Sequence, residues 1–243
     1  MIELWGLKIH GYGLMIGLGI WLAWEVALRF GKVKSEIIER LALPTIFWGI
    51  VGARAYHVID LWEYYRSDLV KIFFLWNGGL GIWGAILGGL AYLAYFSRKS
   101  KTNFFELSDS IVIGLPLAQA VGRVGNFING ELYGKNGEPL FAWEGGLNII
   151  LFFILLYVSG FRIKSGMTTN VDGLPQSTKR LSNDGVTTGI YLIGYGIVRI
   201  VLENFRSEQI IWRAGGVPVA IWFGWISVVI GASLFFKKEK TSL

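Results

Sequence analysis

Long apolar runs alternate along this chain with short polar ones. Seven runs approach the roughly 20 mostly apolar residues that a bilayer-crossing helix needs: 12–28, 41–59, 72–96, 105–129, 144–161, 186–205 and 216–236. Together they occupy most of the chain and leave no room for a soluble domain of ordinary size. The pattern predicts an all-α polytopic membrane protein, a single transmembrane domain over residues 1–243 with seven transmembrane helices. The longest polar stretch, 162–185, is rich in Ser, Thr, Asn, Asp and Gly and reads as a flexible connection. The start, Met1 to His10, holds one Lys and one Glu and no basic n-region, so no cleavable signal peptide is expected. No internal repeat is visible, and the halves lack the matched broken helices of many transporters.

Charge adds a direction. One alternating set of loops holds fourteen Lys and Arg, in clusters around Arg29–Arg40, Arg98–Lys101, Arg162–Arg180 and Lys237–Lys240. The opposite set holds six: Lys8, Arg66, Lys71, Lys135, Arg206 and Arg213. Positive charge collects on the cytoplasmic side. The N-terminus is therefore expected outside and the C-terminus inside, which an odd number of spans permits. The KKEK tail fits a positive-inside anchor.

Composition excludes several classes. Hydrophobic residues are 53% and charged residues 16%, against roughly 25% charged in a soluble domain. With 11 Trp, 10 Tyr and 16 Phe the chain is not disordered. With no Cys it holds no disulfide framework, zinc-thiolate site or cysteine nucleophile. The net charge is +6. The basic residues sit in short clusters between apolar runs, so the expected acidic partner is a membrane surface, not nucleic acid. No His/Asp/Glu cluster has ligand spacing, so no metal or organic cofactor is expected.

Gly13 with Gly17, and Gly84 with Gly88, form GxxxG pairs, a spacing that lets helix backbones approach closely. The stretch Asn77–Leu90 holds six glycines in fourteen residues. Each costs a helix roughly 1 kcal/mol relative to Ala. The third span is therefore expected to be broken or to start late, near a site. A phosphate-cradling loop has less support, because no strand precedes it.

Arg54, Arg123 and Arg199 lie inside apolar runs. Each opposes insertion by about 2.5–3.5 kcal/mol and should face a cavity or partners. Asn126 shares a helical face with Arg123, and Asn129, Gly130 and Glu131 follow. Gly122, Gly125 and Gly130 clear the surroundings. A cationic fork beside two amides in an open groove suits a phosphate. Tyr195, Arg199 and Glu203, four residues apart, form a second polar row that Arg206 continues, with Glu203 placed to fix Arg199. In the assigned topology both arginines fall in the outer half, as do Tyr12 and His57. Asp109 and Glu25 lie toward the inner side and read as interfacial or structural.

At this point the residues resemble a known family. GRVGNFINGELYG (Gly122–Gly134) is similar to the signature of bacterial prolipoprotein diacylglyceryl transferases. HGYGLMIG (10–17), GARAYHVI (52–59), GGLGIWGAILGG (78–89) and YGIVRIVLENFR (195–206) agree in order and spacing. The resemblance implies an enzyme of the bacterial cytoplasmic (inner) membrane, with its site toward the extracytoplasmic side. It would transfer the diacylglyceryl group of phosphatidylglycerol to the lipobox cysteine thiol of prolipoproteins, the first step of lipoprotein maturation. The partners implied are phosphatidylglycerol, prolipoprotein signal peptides with a lipobox cysteine, and membrane lipid. By motif position Arg123, Arg199 and Glu131 carry over as catalytic candidates. Tyr12, His10, Asn126, Asn129, Gly134, Tyr195, Glu203, Arg206, Trp83 and His57 carry over as substrate-binding candidates. Trp83 stands where many relatives have His, which leaves the general base open among Glu131, His57 and His10. The run EPLFAWE (Glu138–Glu144) keeps only Pro139 and Glu144 of the family's pattern.

The substrate's own thiol is the nucleophile, so the absence of Cys is no obstacle. Lateral openings between helices are expected to admit lipid and signal peptide. Two readings from other classes stand beside this one. One is a non-catalytic binder or transporter of anionic lipid using the same arginines. The other is a structural membrane scaffold in which those arginines serve folding.

Overall fold

The computed structural model describes residues 2–4, 7–9, 11–159, 185–207 and 213–236. His10, nearly all of the 162–185 connection and the KKEK tail lie outside the described residues. The architecture is helical apart from two short antiparallel hairpins. These are β1 (Ile2–Leu4) with β2 (Leu7–Ile9), and β3 (Arg213–Ala214) with β4 (Val217–Pro218). The helices are α1 (Gly11–Phe30), α2 (Ser35–Asp60), the one-turn α3 (Trp62–Tyr65), α4 (Ile82–Ser100), α5 (Phe104–Val112), α6 (Leu115–Ile128), α7 (Leu140–Val158), α8 (Val186–Glu203) and α9 (Val219–Phe236).

Four helical stretches among the described residues are long and apolar enough to cross a membrane. They are Gly11–Phe30, Phe104–Ile128 taken through its internal turn, Leu140–Val158 and Val186–Glu203. Val219–Leu234 is a shorter apolar stretch. Helices also fill the predicted run 41–59 and, from Ile82 onward, the run 72–96. Trp21, Phe47, Ile150, Phe153, Tyr157 and Val229 are among many exposed large apolar side chains. Such a surface aggregates in water but is at home against acyl chains. This is the architecture of a polytopic membrane protein.

Two breaks have local causes. Pro116 lacks the N–H that would bond the Val112 carbonyl, and its ring clashes there. The helical ladder therefore stops at Val112 and restarts at Leu115. The glycine-rich third run begins as two 3₁₀ turns, Leu69–Phe73 and Leu75–Asn77, and Gly78 and Gly79 take φ near +80°. Its α-helix starts only at Ile82, the late start that its glycine content predicted.

The packing falls into two compact units. The first comprises Met1–Lys32 and Ser108–Leu243. In it α1 packs on α6, α6 on α7, α7 on α8 and α8 on α9. Its cores are Val26, Ile113, Phe152 and Leu156, and Val112, Leu151, Leu155 and Tyr191. The second unit, Val33–Leu107, centres on the α2–α4 pair. Glycines set that pair's spacing: β-carbons added at Gly52 and Gly84 would run into each other's carbonyls. Gly88 meets the Trp48 carbonyl in the same way. The Gly84/Gly88 motif thus serves a close crossing. At Gly13 and Gly17, by contrast, no atom of the described residues lies within 4 Å of an added β-carbon. Gly19 makes the α1 contact, its β-carbon position 3.0 Å from the Ala118 carbonyl oxygen.

Candidate active site

Arg123 sits in the third turn of α6, half-buried. Its guanidinium donates to Asn126 Oδ1 at 2.8 Å and to Glu144 Oε1 of α7 at 2.8 Å. The Glu144 side chain is 3% exposed and that of Arg123 24%, so this ion pair is largely removed from solvent. Arg123 Nε is buried with no hydrogen-bond partner among the described residues. Asn126 passes the network on, donating to Glu131 Oε2 at 3.2 Å, while Asn129 donates to Glu131 Oε1 at 3.4 Å. Asn129 and Glu131 are exposed. The signature and Glu144 of α7 therefore form one connected chain: Glu144, Arg123, Asn126, Glu131, Asn129.

The second row behaves as its spacing predicts. Glu203 lies 3.5 Å from Arg199 and 3.7 Å from Arg206. Both contacts are too long for good hydrogen bonds, and Glu203 Oε2, though buried, has none among the described residues. Tyr195 stacks on Tyr191, with ring centroids 5.9 Å apart at 17°. Tyr191 in turn accepts from Gln119 of α6 at 2.9 Å.

Arg206 joins the two rows. Burial pushes its guanidinium down from its ordinary value, and Arg199 pushes the same way; Glu203 and Glu144 oppose, and Arg123 adds to the lowering. An arginine stays charged through such a shift. Arg123, Arg199, Arg206, Glu144 and Glu203 therefore share one electrostatic neighbourhood. Three guanidinium charges against two buried carboxylates leave one net positive charge, before the exposed Glu131 is counted. The loop after α6 closes onto the end of α8. Gly134 bridges to Arg206, and the Lys135 N–H donates to the Phe205 carbonyl at 2.9 Å. A side chain at Gly134 would collide with Glu138 and with the Phe205 carbonyl. Glu138 holds this loop by accepting from the Asn136 N–H and side chain at 2.9 Å each. Those bonds, with its own N–H, hold its carboxyl below the ordinary 4.5.

The remaining candidates divide. Tyr12 packs on α6: its ring lies 2.8 Å from where a Gly125 β-carbon would stand. His57 and Trp83 belong to the second unit. His57 ends α2 in a cavity of about 450 Å³ that Arg54, Tyr65, Lys71 and Gly79 also line. Trp83 is the second residue of α4 and half-buried. His10 is outside the described residues.

Arg54 resembles the other two intramembrane arginines in sequence but not in use. It is 6% exposed. It donates to the carbonyls of Ile72, Gly78, Gly79, Lys71 and Phe74 at 2.6–3.3 Å and lies over the Tyr65 ring. All five of its N–H groups hold the 71–79 backbone, so it serves structure. Asp109 is structural too. Wholly buried, it pairs with Lys32 at 2.8 Å and accepts from the Thr188 N–H and hydroxyl, capping α8 from another helix. Glu25 pairs with Arg29 one turn on.

Sequence reasoning missed Glu144 as a site residue, although EPLFAWE retains it. It lies 21 residues from Arg123, beyond the reach of helical spacing. Its signal was present: a carboxylate in an apolar run, the same anomaly that singled out the arginines.

Comparison with known proteins agrees. A family model described as Prolipoprotein diacylglyceryl transferase matches residues 1–237. A protein of Finegoldia magna named phosphatidylglycerol–prolipoprotein diacylglyceryl transferase is 30% identical, over 98% of this chain and 94% of its own. Proteins of the same name from Synechococcus elongatus and Lactococcus lactis subsp. lactis are each 30% identical, over 95% and 98% of this chain and 84% and 93% of theirs. With the arginine–carboxylate cluster built on its signature segment, the chain belongs to the prolipoprotein diacylglyceryl transferase family.

Proposed function

We propose that this chain transfers the diacylglyceryl group of phosphatidylglycerol to the lipobox cysteine of prolipoproteins. The substrate sulfur attacks the glyceryl carbon that bears the phosphate. A carbon–sulfur bond forms and the carbon–oxygen bond to phosphate breaks. The electron pair leaves on the phosphate oxygen, giving glycerol phosphate. The leaving phosphate gains a second negative charge. Groups that bind it better than the phosphodiester accelerate the step.

The observation that carries this reading is the shared neighbourhood of Arg123, Arg199 and Arg206 beside the buried carboxylates of Glu144 and Glu203. Arg123 and Arg199 bind the phosphate. Glu144 and Glu203 hold them in place. A thiol of pKa about 8.5 is only partly ionised near neutrality. Glu131, joined to Arg123 through Asn126, is our candidate base. Tyr12, Asn129, Gly134 and Tyr195 complete the substrate surround. The protein spans the bacterial cytoplasmic membrane seven times as one domain over residues 1–243. Its N-terminus is outside and its C-terminus cytoplasmic, with the site toward the extracytoplasmic leaflet.

The test is glycerol phosphate release from phosphatidylglycerol vesicles, with and without a lipobox peptide. Peptide-dependent release that Arg123→Ala abolishes, in a protein that melts like wild type, is the expected result. Lipid movement without release would favour the binder or transporter. Unfolding of Arg123→Ala and Arg199→Ala would favour the scaffold.

A further inference from the structure

One turn from the Arg123–Glu144 ion pair, toward the start of α6, the bundle interior holds a second polar layer. Three contacts fix how α6 lies against α7. Phe127 meets Phe141 with ring centroids 5.1 Å apart, Arg123 meets Glu144 at 2.8 Å, and Ile113 shares a core with Phe152 and Leu156. The two helices therefore run antiparallel in constant register, and the rung next to Arg123–Glu144 sets Gln119 against Asn148. Gln119 points into the bundle, where its Nε2 donates to the Tyr191 hydroxyl of α8 at 2.9 Å. Asn148 is wholly buried, on the α7 face whose next turn, at Leu151, packs with Tyr191.

Six buried side-chain polar atoms have no hydrogen-bond partner among the described residues, and four of them lie on these two rungs: Arg123 Nε, Gln119 Oε1, and Asn148 Nδ2 and Oδ1. Burying an amide with neither end paired is costly, above all at membrane depth. The four atoms are complementary, two donors and two acceptors, which is the set that the lone pairs and hydrogens of water satisfy. Successive rungs are about 6 Å apart, close to the span of two hydrogen bonds through one oxygen.

We propose that ordered water fills this rung, accepting from Arg123 Nε and Asn148 Nδ2 and donating to Gln119 Oε1 and Asn148 Oδ1. Asn148 and Gln119 thereby become positioning residues for Arg123. Asn126 and Glu144 each take one N–H from the two outer nitrogens of the guanidinium, and the water holds the third nitrogen. Fixed at all three, the guanidinium cannot swing, and one N–H on each outer nitrogen is left for the phosphate. The positioning role rests on the transferase reading; the water itself does not.

A structure of the wild-type protein at a resolution that shows water tests the site without turnover. Density within hydrogen-bond reach of both Arg123 Nε and Asn148 is the expected result. A dry rung, with Asn148 bonded directly to Gln119 or to another side chain, would overturn the proposal. Asn148→Leu, close in volume, tests the role through glycerol phosphate release and melting. Expelling the water strands Arg123 Nε and Gln119 Oε1, so this variant should melt lower. Its kcat should fall toward the hundredfold, roughly, that a 1 Å misplacement costs, with KM little changed. Asn148→Ser keeps a hydroxyl for the water and should retain most of the wild-type kcat. Wild-type kcat in Asn148→Leu, whatever its melting temperature, overturns the positioning role. If Asn148→Leu does not fold, a large kcat loss in a stably folded Asn148→Ser counts against the proposal instead. Failure of wild type to release glycerol phosphate counts against the transferase reading alone, and the structure still decides the water.

Discussion

Glu144→Gln and Glu144→Ala separate what the Arg123 partner does for folding from what it does for catalysis. Glu144 is 2% exposed and its oxygen lies 2.8 Å from Arg123. Two unit charges about 4 Å apart attract by about 4 kcal/mol at an effective dielectric near 20. Desolvation of both ions offsets much of that, so the pair's net value is small. Removing one partner is different, because it strands a buried charge at about 3–5 kcal/mol. Arg123 retains some contact with solvent, with a side chain 24% exposed. The lower end, about 3 kcal/mol, is therefore expected for Glu144→Ala, read as a fall in melting temperature in detergent. Glu144→Gln keeps the shape and one hydrogen bond, so its stability loss should be nearer 1 kcal/mol. It also raises the site's net charge by one. Ground-state binding of the anionic lipid should hold or tighten, while the guanidinium, held by a weaker neutral hydrogen bond, loses its aim. The expected signature is an unchanged or lower KM with kcat down by about a hundredfold. A Glu144→Gln enzyme with wild-type kcat would refute the positioning role.

Other substitutions test the framework. Gly52→Ala should destabilise the α2–α4 pair by about 1–3 kcal/mol as the helices are forced apart, whereas Gly17→Ala, with nothing near it, should be neutral or stabilising in the same melting assay. Arg54→Lys exchanges five donors for three and should cost about 3 kcal/mol through unpaired carbonyls, seen as faster proteolysis within 69–81. Asp109→Asn should destabilise by stranding the Lys32 ammonium, and adding Lys32→Met should restore much of the loss. A simple sum of the two single effects would refute the coupling. The Glu138 carboxyl is held below 4.5 when folded. Its contribution is therefore fully present above that pH and is lost as pH falls through the lower folded value. Protease sensitivity of the 134–139 loop should be flat above pH 4.5 and rise below it, and Glu138→Gln should remove that step.

Most of the helical architecture was readable as hydropathy, because lipid-facing positions leave no choice of residue class. The Arg123–Asn126 and Arg199–Glu203 contacts were readable too, since both partners share a helix and a turn. What lay beyond one helix was not. Glu144 meets Arg123 through the α6–α7 packing, which no local period encodes. Arg54 carried the same anomaly as Arg123, and only its surroundings distinguish carbonyl clamping from a site. Gly13/Gly17 shows the converse, a close-packing motif on a face that meets none of the described residues. Pro116 marked the α5–α6 break plainly, but the continuous apolar run around it masked the signal.

The Arg54 clamp bears on how the protein is made. Its five acceptor carbonyls follow it in the chain by 17 to 25 residues. During synthesis the cation on α2 precedes all of them, and until Gly79 emerges its full set of partners does not exist. α2 and the 69–81 segment must therefore mature as one piece, with the nascent arginine held in a polar environment until the glycines arrive.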